Sequence, residues 1–160
     1  PIDVPRFARL GVIASMQGVH ASSDGPWVPK RLGEPRAGER TYVWRSLIDS
    51  GALVSNGTDV PVEDIDPLAS FRASVTREMV NGQRFHPEQN MTRQEALASY
   101  TWNNAYAGFE EDLKGSLAPG KLADFVVLDR DILRVPDAEL AAAQVLHTVL
   151  AGRVVYSRAP

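Results

Sequence analysis

The chain has 160 residues, a net charge of -3, 44% hydrophobic and 23% charged residues, a globular composition sized for one domain or one domain plus a piece. Scattered Lys and Arg on an acidic chain exclude a nucleic-acid partner, and with no long apolar run or charged-then-apolar leader, a soluble, cytoplasmic protein with no membrane partner is expected. With no Cys, disulfides, thiolate nucleophiles and Cys zinc sites are excluded, leaving carboxylates and three His for acid–base or metal work.

Pro1 begins what reads at once as mid-domain sequence. Asp3 and Pro5 predict the start of a short helix through Leu10, ended by Gly11. Val12-Ile13-Ala14-Ser15-Met16-Gln17 then reads as a buried strand, with His20 just beyond its end and a loop from Ala21 to Pro26. Trp27 to Arg40, rich in Pro, Gly and Arg, reads as a long irregular segment whose anchors Trp27 and Arg36 suit a pocket wall. Thr41 to Ser50 is helical by pattern, with Val43, Leu47 and Ile48 on one stripe and Gly51 as the stop.

Gly51 to Ser55 is short and apolar, so a second buried strand leads into Gly57-Thr58-Asp59-Val60-Pro61. One crossover separates the two strands, which places His20 and Asp59 on the same rim of a parallel sheet. Strand C-terminal ends are where barrel and open α/β folds carry chemistry; Thr-Asp before Val-Pro is also ordinary turn chemistry.

Asp66 and Pro67 predict the start of a helix running to about Met79, with Leu68, Phe71, Val75 and Met79 inward. His86 falls in a polar loop and reads as a solvated turn residue. Thr92-Arg93-Gln94-Glu95 is a capping box opening a helix to about Gly108, with Ala96, Leu97, Tyr100, Ala105 and Phe109 inward and Trp102, Asn103 and Asn104 as packing and surface residues. Beyond Gly115 the chain turns to strands: Phe125 to Leu128, then a hairpin of Val145–Leu150 and Arg153–Tyr156 with His147 outward.

Four stretches carry a family likeness in order: Ser15-Met16-Gln17-Gly18-Val19-His20, Arg45 to Ala52, Gly57-Thr58-Asp59-Val60-Pro61, and Lys114 to Asp129 with its Ala-Pro-Gly-Lys-Leu-Ala-Asp core. Together they resemble the C-terminal part of metal-dependent amidohydrolases (family 3), in the subgroup similar to N-substituted formamide deformylases. The resemblance implies an α/β fold: the last part of a TIM (β/α)8 barrel over residues 1–112, followed by strands of a flanking β-sandwich over residues 113–160.

It further implies that Asp59, on strand eight, is both metal ligand and proton acceptor. Gln17 and His20, on strand seven, and Arg36 would be substrate-binding. The cofactor is a divalent metal, zinc for preference, and the substrate a small amide-type molecule. Gly18 stands where the family usually has Pro, which would loosen the loop carrying His20. A barrel needs about 250 residues, so the chain is expected to be its last quarter, with the His-x-His and other ligands upstream of Pro1. A lone Asp59 cannot hold catalytic zinc; the isolated chain is expected to be inactive, without tightly bound metal, and prone to self-association through unclosed barrel edges. The alternative is a non-catalytic structural or interaction domain. A complete carboxylate hydrolase is weaker, because Glu63, Asp64 and Asp66 read as loop and cap residues.

Overall fold

The computed structural model describes residues 2–159. Helix α1 (Val4–Leu10) has Pro in its first turn and ends at Gly11, whose φ of 65° is the left-handed stop that glycine permits. Asp3 occupies the N-cap without a side-chain cap bond and instead pairs with Arg6 at 2.6 Å. Strand β1 (Ala14–Gln17) follows, then α2 (His20–Ser23), α3 (Val28–Leu32), α4 (Glu34–Arg40), α5 (Trp44–Asp49) and strand β2 (Val54–Gly57). β1 and β2 pair in parallel, Ala14 opposite Val54 through Gln17 opposite Gly57, as one crossover between two buried strands requires.

Three sequence expectations are corrected in this crossover. Residues 27–40 are not irregular: Pro29 and Pro35 each open a short helix, and Gly33, at φ 78° and ψ 149°, separates them. His20 begins a helix rather than a loop. α5 starts at Trp44 instead of Thr41, because Tyr42 adopts a left-handed φ of 51°. The stripe read from Val43, Leu47 and Ile48 holds, but the residue sealed at its centre is Trp44, 0% exposed.

After β2 come α6 (Pro67–Thr76), a 3-10 turn (Pro87–Gln89), α7 (Arg93–Tyr100) and α8 (Trp102–Ala107). Asp66 caps α6 as expected, accepting from the Leu68 N–H at 2.9 Å. The helix stops at Thr76, short of Met79, because Arg77 takes a left-handed φ of 53° with its side chain fully buried. The helix read from Arg93 to Gly108 breaks at Thr101, and Phe109, expected inward, is 92% exposed at a left-handed φ of 58°. His86 is less solvated than expected: its ring stacks edge-on to Phe85 at 4.6 Å and sits where a Cβ on Gly38 would be.

Parallel in-register partners share a face. Ala14, Met16, Val54 and Asn56 therefore point one way, into a core with Leu47, Phe71, Val75, Met91 and Ala96. Buried Asn56 donates to Ser99 Oγ of α7 at 3.0 Å. The Leu53 carbonyl accepts from Ala14 N–H toward β1, so the carbonyls of Val54 and Asn56 face the outer edge. There the side-chain amides of Asn103 and Asn104 donate to them at 2.7 and 2.9 Å. These two residues, read as packing and helix-surface residues, satisfy an edge that would otherwise be bare.

The rest is an antiparallel sheet of β3 (Phe125–Leu128), β4 (Val145–Leu150) and β5 (Arg153–Ser157), in that order, with α9 (Asp137–Leu140) between β3 and β4. Ala151 and Gly152 turn the hairpin with positive φ, and His147 is exposed as expected, within 3.0 Å of Ser157 Oγ. Arg93 joins this part to α7 by pairing with Asp137 at 2.7 Å. No helix among the described residues is long and apolar enough to cross a membrane.

α5 and α7 are clamped by one carboxylate. Glu95 accepts both Thr92 N–H and Oγ–H at 2.8 Å, completing the capping box, and takes a bidentate pair from Arg45 at 2.7 and 2.8 Å. The Arg45 bonds, opposed by burial and helped by the Thr92 donors, hold the Glu95 carboxyl down at about 2, from an ordinary 4.5. A depressed carboxyl stabilises the fold above its ordinary pKa and loses that contribution as pH falls from about 4.5 to 2. Glu95→Gln is expected to cost about 1–2 kcal/mol at pH 7, and the gap from the parent should narrow through that window in urea unfolding.

Candidate active-site rim

β1 and β2 run parallel, so the segments leaving their C-terminal ends emerge side by side. Gly18 is buried there, and a Cβ on it would lie 2.0 Å from Ser74 Oγ and 3.0 Å from the Ser70 carbonyl of α6. The glycine does not loosen the loop; it allows the chain to lie directly on α6. Ala21, 0% exposed, then seats the short helix α2 and turns its first residue, His20, toward β2.

On the other strand, Asp59 stands two residues beyond Gly57 with a left-handed φ of 61°, which Asp tolerates better than most residues. Its carbonyl accepts from Val62 N–H at 2.8 Å and Glu63 N–H at 3.2 Å. That tight turn brings Glu63 back beside Asp59.

The result is a His among three carboxylates. His20 Nε2 lies 3.0 Å from Asp59 Oδ2, and since a carboxylate only accepts, this nitrogen carries the hydrogen. On its other side Nδ1 faces Glu63 Oε1 at 3.3 Å and Asp24 Oδ2 at 3.8 Å, without hydrogen-bond alignment to either. Each of those carboxylates is tied by a hydroxyl: Ser23 donates to Glu63 Oε1 at 2.6 Å and Tyr42 to Asp24 Oδ2 at 2.7 Å. Burial, and then the Asp24 carboxylate, push the Tyr42 phenol well above its usual range, so it stays a donor at neutral pH.

Asp59 and His20 thus meet as the crossover argument expects. Gln17 ends β1 on the same rim, partly exposed and opposite Gly57. Arg36 stands exposed on α4, and among the described residues no hydrogen bond or ion pair joins it to this cluster. The sequence singled out neither Asp24 nor Tyr42, and Glu63 reads there as a loop residue. The i to i+4 spacing of His20 and Asp24 was the available signal for the first.

A divalent metal fits Asp59 as one ligand. Oδ2 is engaged by His20, whereas Oδ1 has no hydrogen-bond partner among the described residues and the side chain is 39% exposed. No group of three or more His, Asp or Glu among the described residues is arranged to hold a metal, so this carboxylate fits part of a centre and not a whole one.

Two parallel strands joined by a helical crossover, with an acid–imidazole pair beyond their C-terminal ends, make an α/β arrangement of the kind that TIM barrels and open α/β sheets share. The profile of the amidohydrolase family matches residues 1–156. The chain belongs to that family.

It is 36% identical to protein LONG AFTER FAR-RED 3 of Arabidopsis thaliana, over 98% of this chain and 27% of that protein. It is 35% identical to the N-substituted formamide deformylase of Arthrobacter pascens, over 79% of this chain and 23% of that enzyme. Among solved structures, an uncharacterized metal-dependent hydrolase of Pyrococcus horikoshii OT3 superposes with a TM-score of 0.73 at 29% identity, covering 86% of this chain and 28% of that one. The chain spans less than a third of the length of each.

Gly18→Ala is expected to destabilise by about 1–3 kcal/mol through overpacking against α6, read as a lowered midpoint in thermal or urea unfolding.

Proposed function

We propose that this chain forms the strand-seven and strand-eight rim of a metal-dependent hydrolase that cleaves amide or related C–N bonds in a small molecule with an activated water. The observation that carries this reading is Asp59 itself: beyond a parallel strand's C-terminal end, with one oxygen held by His20 and the other open. A bound divalent metal, zinc in this proposal, supplies Lewis acidity and lowers a water's pKa toward neutrality. Asp59 Oδ1 would help hold that metal, and the Asp59 carboxylate would take the proton of the attacking water and pass it to the leaving nitrogen. The other ligands come from the two thirds or more of the relatives' length that this chain does not span.

The likeness to an N-substituted formamide deformylase supports an amide-type substrate. Gln17 contacts that substrate from the end of β1, and Arg36 is available to it from α4. Residues 1–112 are the barrel part, and residues 113–160, with their antiparallel β3–β5 sheet, belong to a flanking β-sandwich.

In the complete open reading frame that contains this chain, Asp59→Asn is expected to lower kcat by about 10²–10⁴-fold and to reduce bound metal measured by atomic emission. Full activity and metal content in that variant would overturn the reading. The purified 160-residue chain is expected to show neither stoichiometric zinc nor amide hydrolysis, and to elute as self-associated species in size-exclusion chromatography with light scattering, since among the described residues β1 has a strand neighbour on one side only.

A further inference from the structure

The reading of Asp59 as a metal ligand leaves a question of aim, because a carboxylate on a rim turn can rotate and offer either oxygen. The surroundings of His20 answer it. The imidazole side chain is 18% exposed against 39% for Asp59, so the carboxylate is the more open of the two to solvent. Its Nε2–H occupies Oδ2, leaving Oδ1 as the only oxygen without a partner among the described residues.

The other edge of the ring is confined without being hydrogen-bonded. Glu63 and Asp24 stand at Nδ1, and each is fixed by a hydroxyl from a different element, Ser23 of α2 and Tyr42 ahead of α5. An imidazole used for substrate contact would gain nothing from two carboxylates at its back. An imidazole used to hold another side chain needs its own plane held.

We propose that His20 is a positioning residue: it grips Asp59 Oδ2 and turns Oδ1 toward the metal, with Glu63–Ser23 and Asp24–Tyr42 as the two braces that set its ring. The proposal rests on Asp59 being a metal ligand and deepens that reading. It makes Asp24, Tyr42 and Glu63 parts of the site, although none of them touches metal or substrate.

The test uses the complete open reading frame and two substitutions of His20. A glutamine amide nitrogen can reach the place of Nε2, whereas the shorter asparagine reaches only that of Nδ1. In cobalt(II) titrations of the metal-free protein, followed by the visible d–d bands, His20→Asn is expected to weaken affinity about 10–100-fold and His20→Gln by about threefold or less. In steady-state kinetics on the zinc form, kcat should follow the same order while KM stays within about twofold.

A rise in KM with unchanged kcat and cobalt affinity would make His20 a substrate contact and overturn the proposal. Equal losses in His20→Gln and His20→Asn would overturn it too, since the restored donor would then not matter. Should His20→Asn fail to fold, the pair Tyr42→Phe with Ser23→Ala decides: a fall in kcat at constant KM supports the braces, and parent behaviour overturns them. Asp59→Ala separates this result from the parent reading. If it leaves cobalt affinity and kcat intact, the ligand assignment fails whatever His20 does; if it abolishes both while His20→Asn behaves as the parent, only the positioning role fails.

Discussion

A buried arginine organises the part of the chain that carries the site. Arg77 is 0% exposed at the left-handed end of α6, with its guanidinium 4.6 Å over the Trp44 ring and 5.4 Å over Phe85. Nε donates to the Phe85 carbonyl and Nη1 to the Tyr42 carbonyl at 2.9 Å, while Nη2 has no hydrogen-bond partner among the described residues. No carboxylate touches it among the described residues. Burial lowers its pKa to about 10, so it remains a cation at neutral pH, and desolvating a cation is tolerable only if carbonyl dipoles and ring faces stay in place around it. Three separate segments are thereby held to one group: the end of α6, the loop at Phe85 and the chain ahead of α5.

That constraint reaches the rim through Tyr42. Its carbonyl is fixed by Arg77 and its backbone is left-handed, so its hydroxyl is delivered to Asp24, which stands at His20, which holds Asp59. From buried cation to rim carboxylate, each link is one contact long. Geometry at Asp59 is consequently tied to the core as well as to the turn it stands on. Gly18 does the same from the other strand by laying β1's exit directly on α6.

What could be read in the sequence follows from where the information lies. Periodicity and caps are local, so α6 with its Asp66 cap, the Thr92–Glu95 box and the β4–β5 hairpin were legible, as was the meeting of His20 with Asp59 once two strands and one crossover were recognised. Departures from periodicity were not. The left-handed φ at Tyr42, Asp59, Arg77 and Phe109 ends or redirects the chain at residues that give no glycine warning. Each is set by what the side chain or its neighbours find in three dimensions. Glu63 read as a loop residue because its return to His20 depends on the turn at Asp59, and Asn103 and Asn104 read as no more than packing and surface residues because the edge they cover lies about fifty residues earlier in the chain.

The two faces and two edges of the β1–β2 pair divide labour in a way that bears on the site. One face, Ala14, Met16, Val54 and Asn56, is committed to the helices; the other carries Ser15, Gln17, Ser55 and Gly57, with no large apolar side chain to form a core although Ser55 is buried. One edge is closed by asparagine amides, whereas β1's other side has no strand neighbour among the described residues. Among the described residues, the contacts traced to Asp59 lie within residues 18–85. On the reading of Asp59 as a metal ligand, the angle of its carboxylate is therefore set before any other ligand arrives. A centre assembled from distant segments then needs to fix only distances between them, since this member already points where it must.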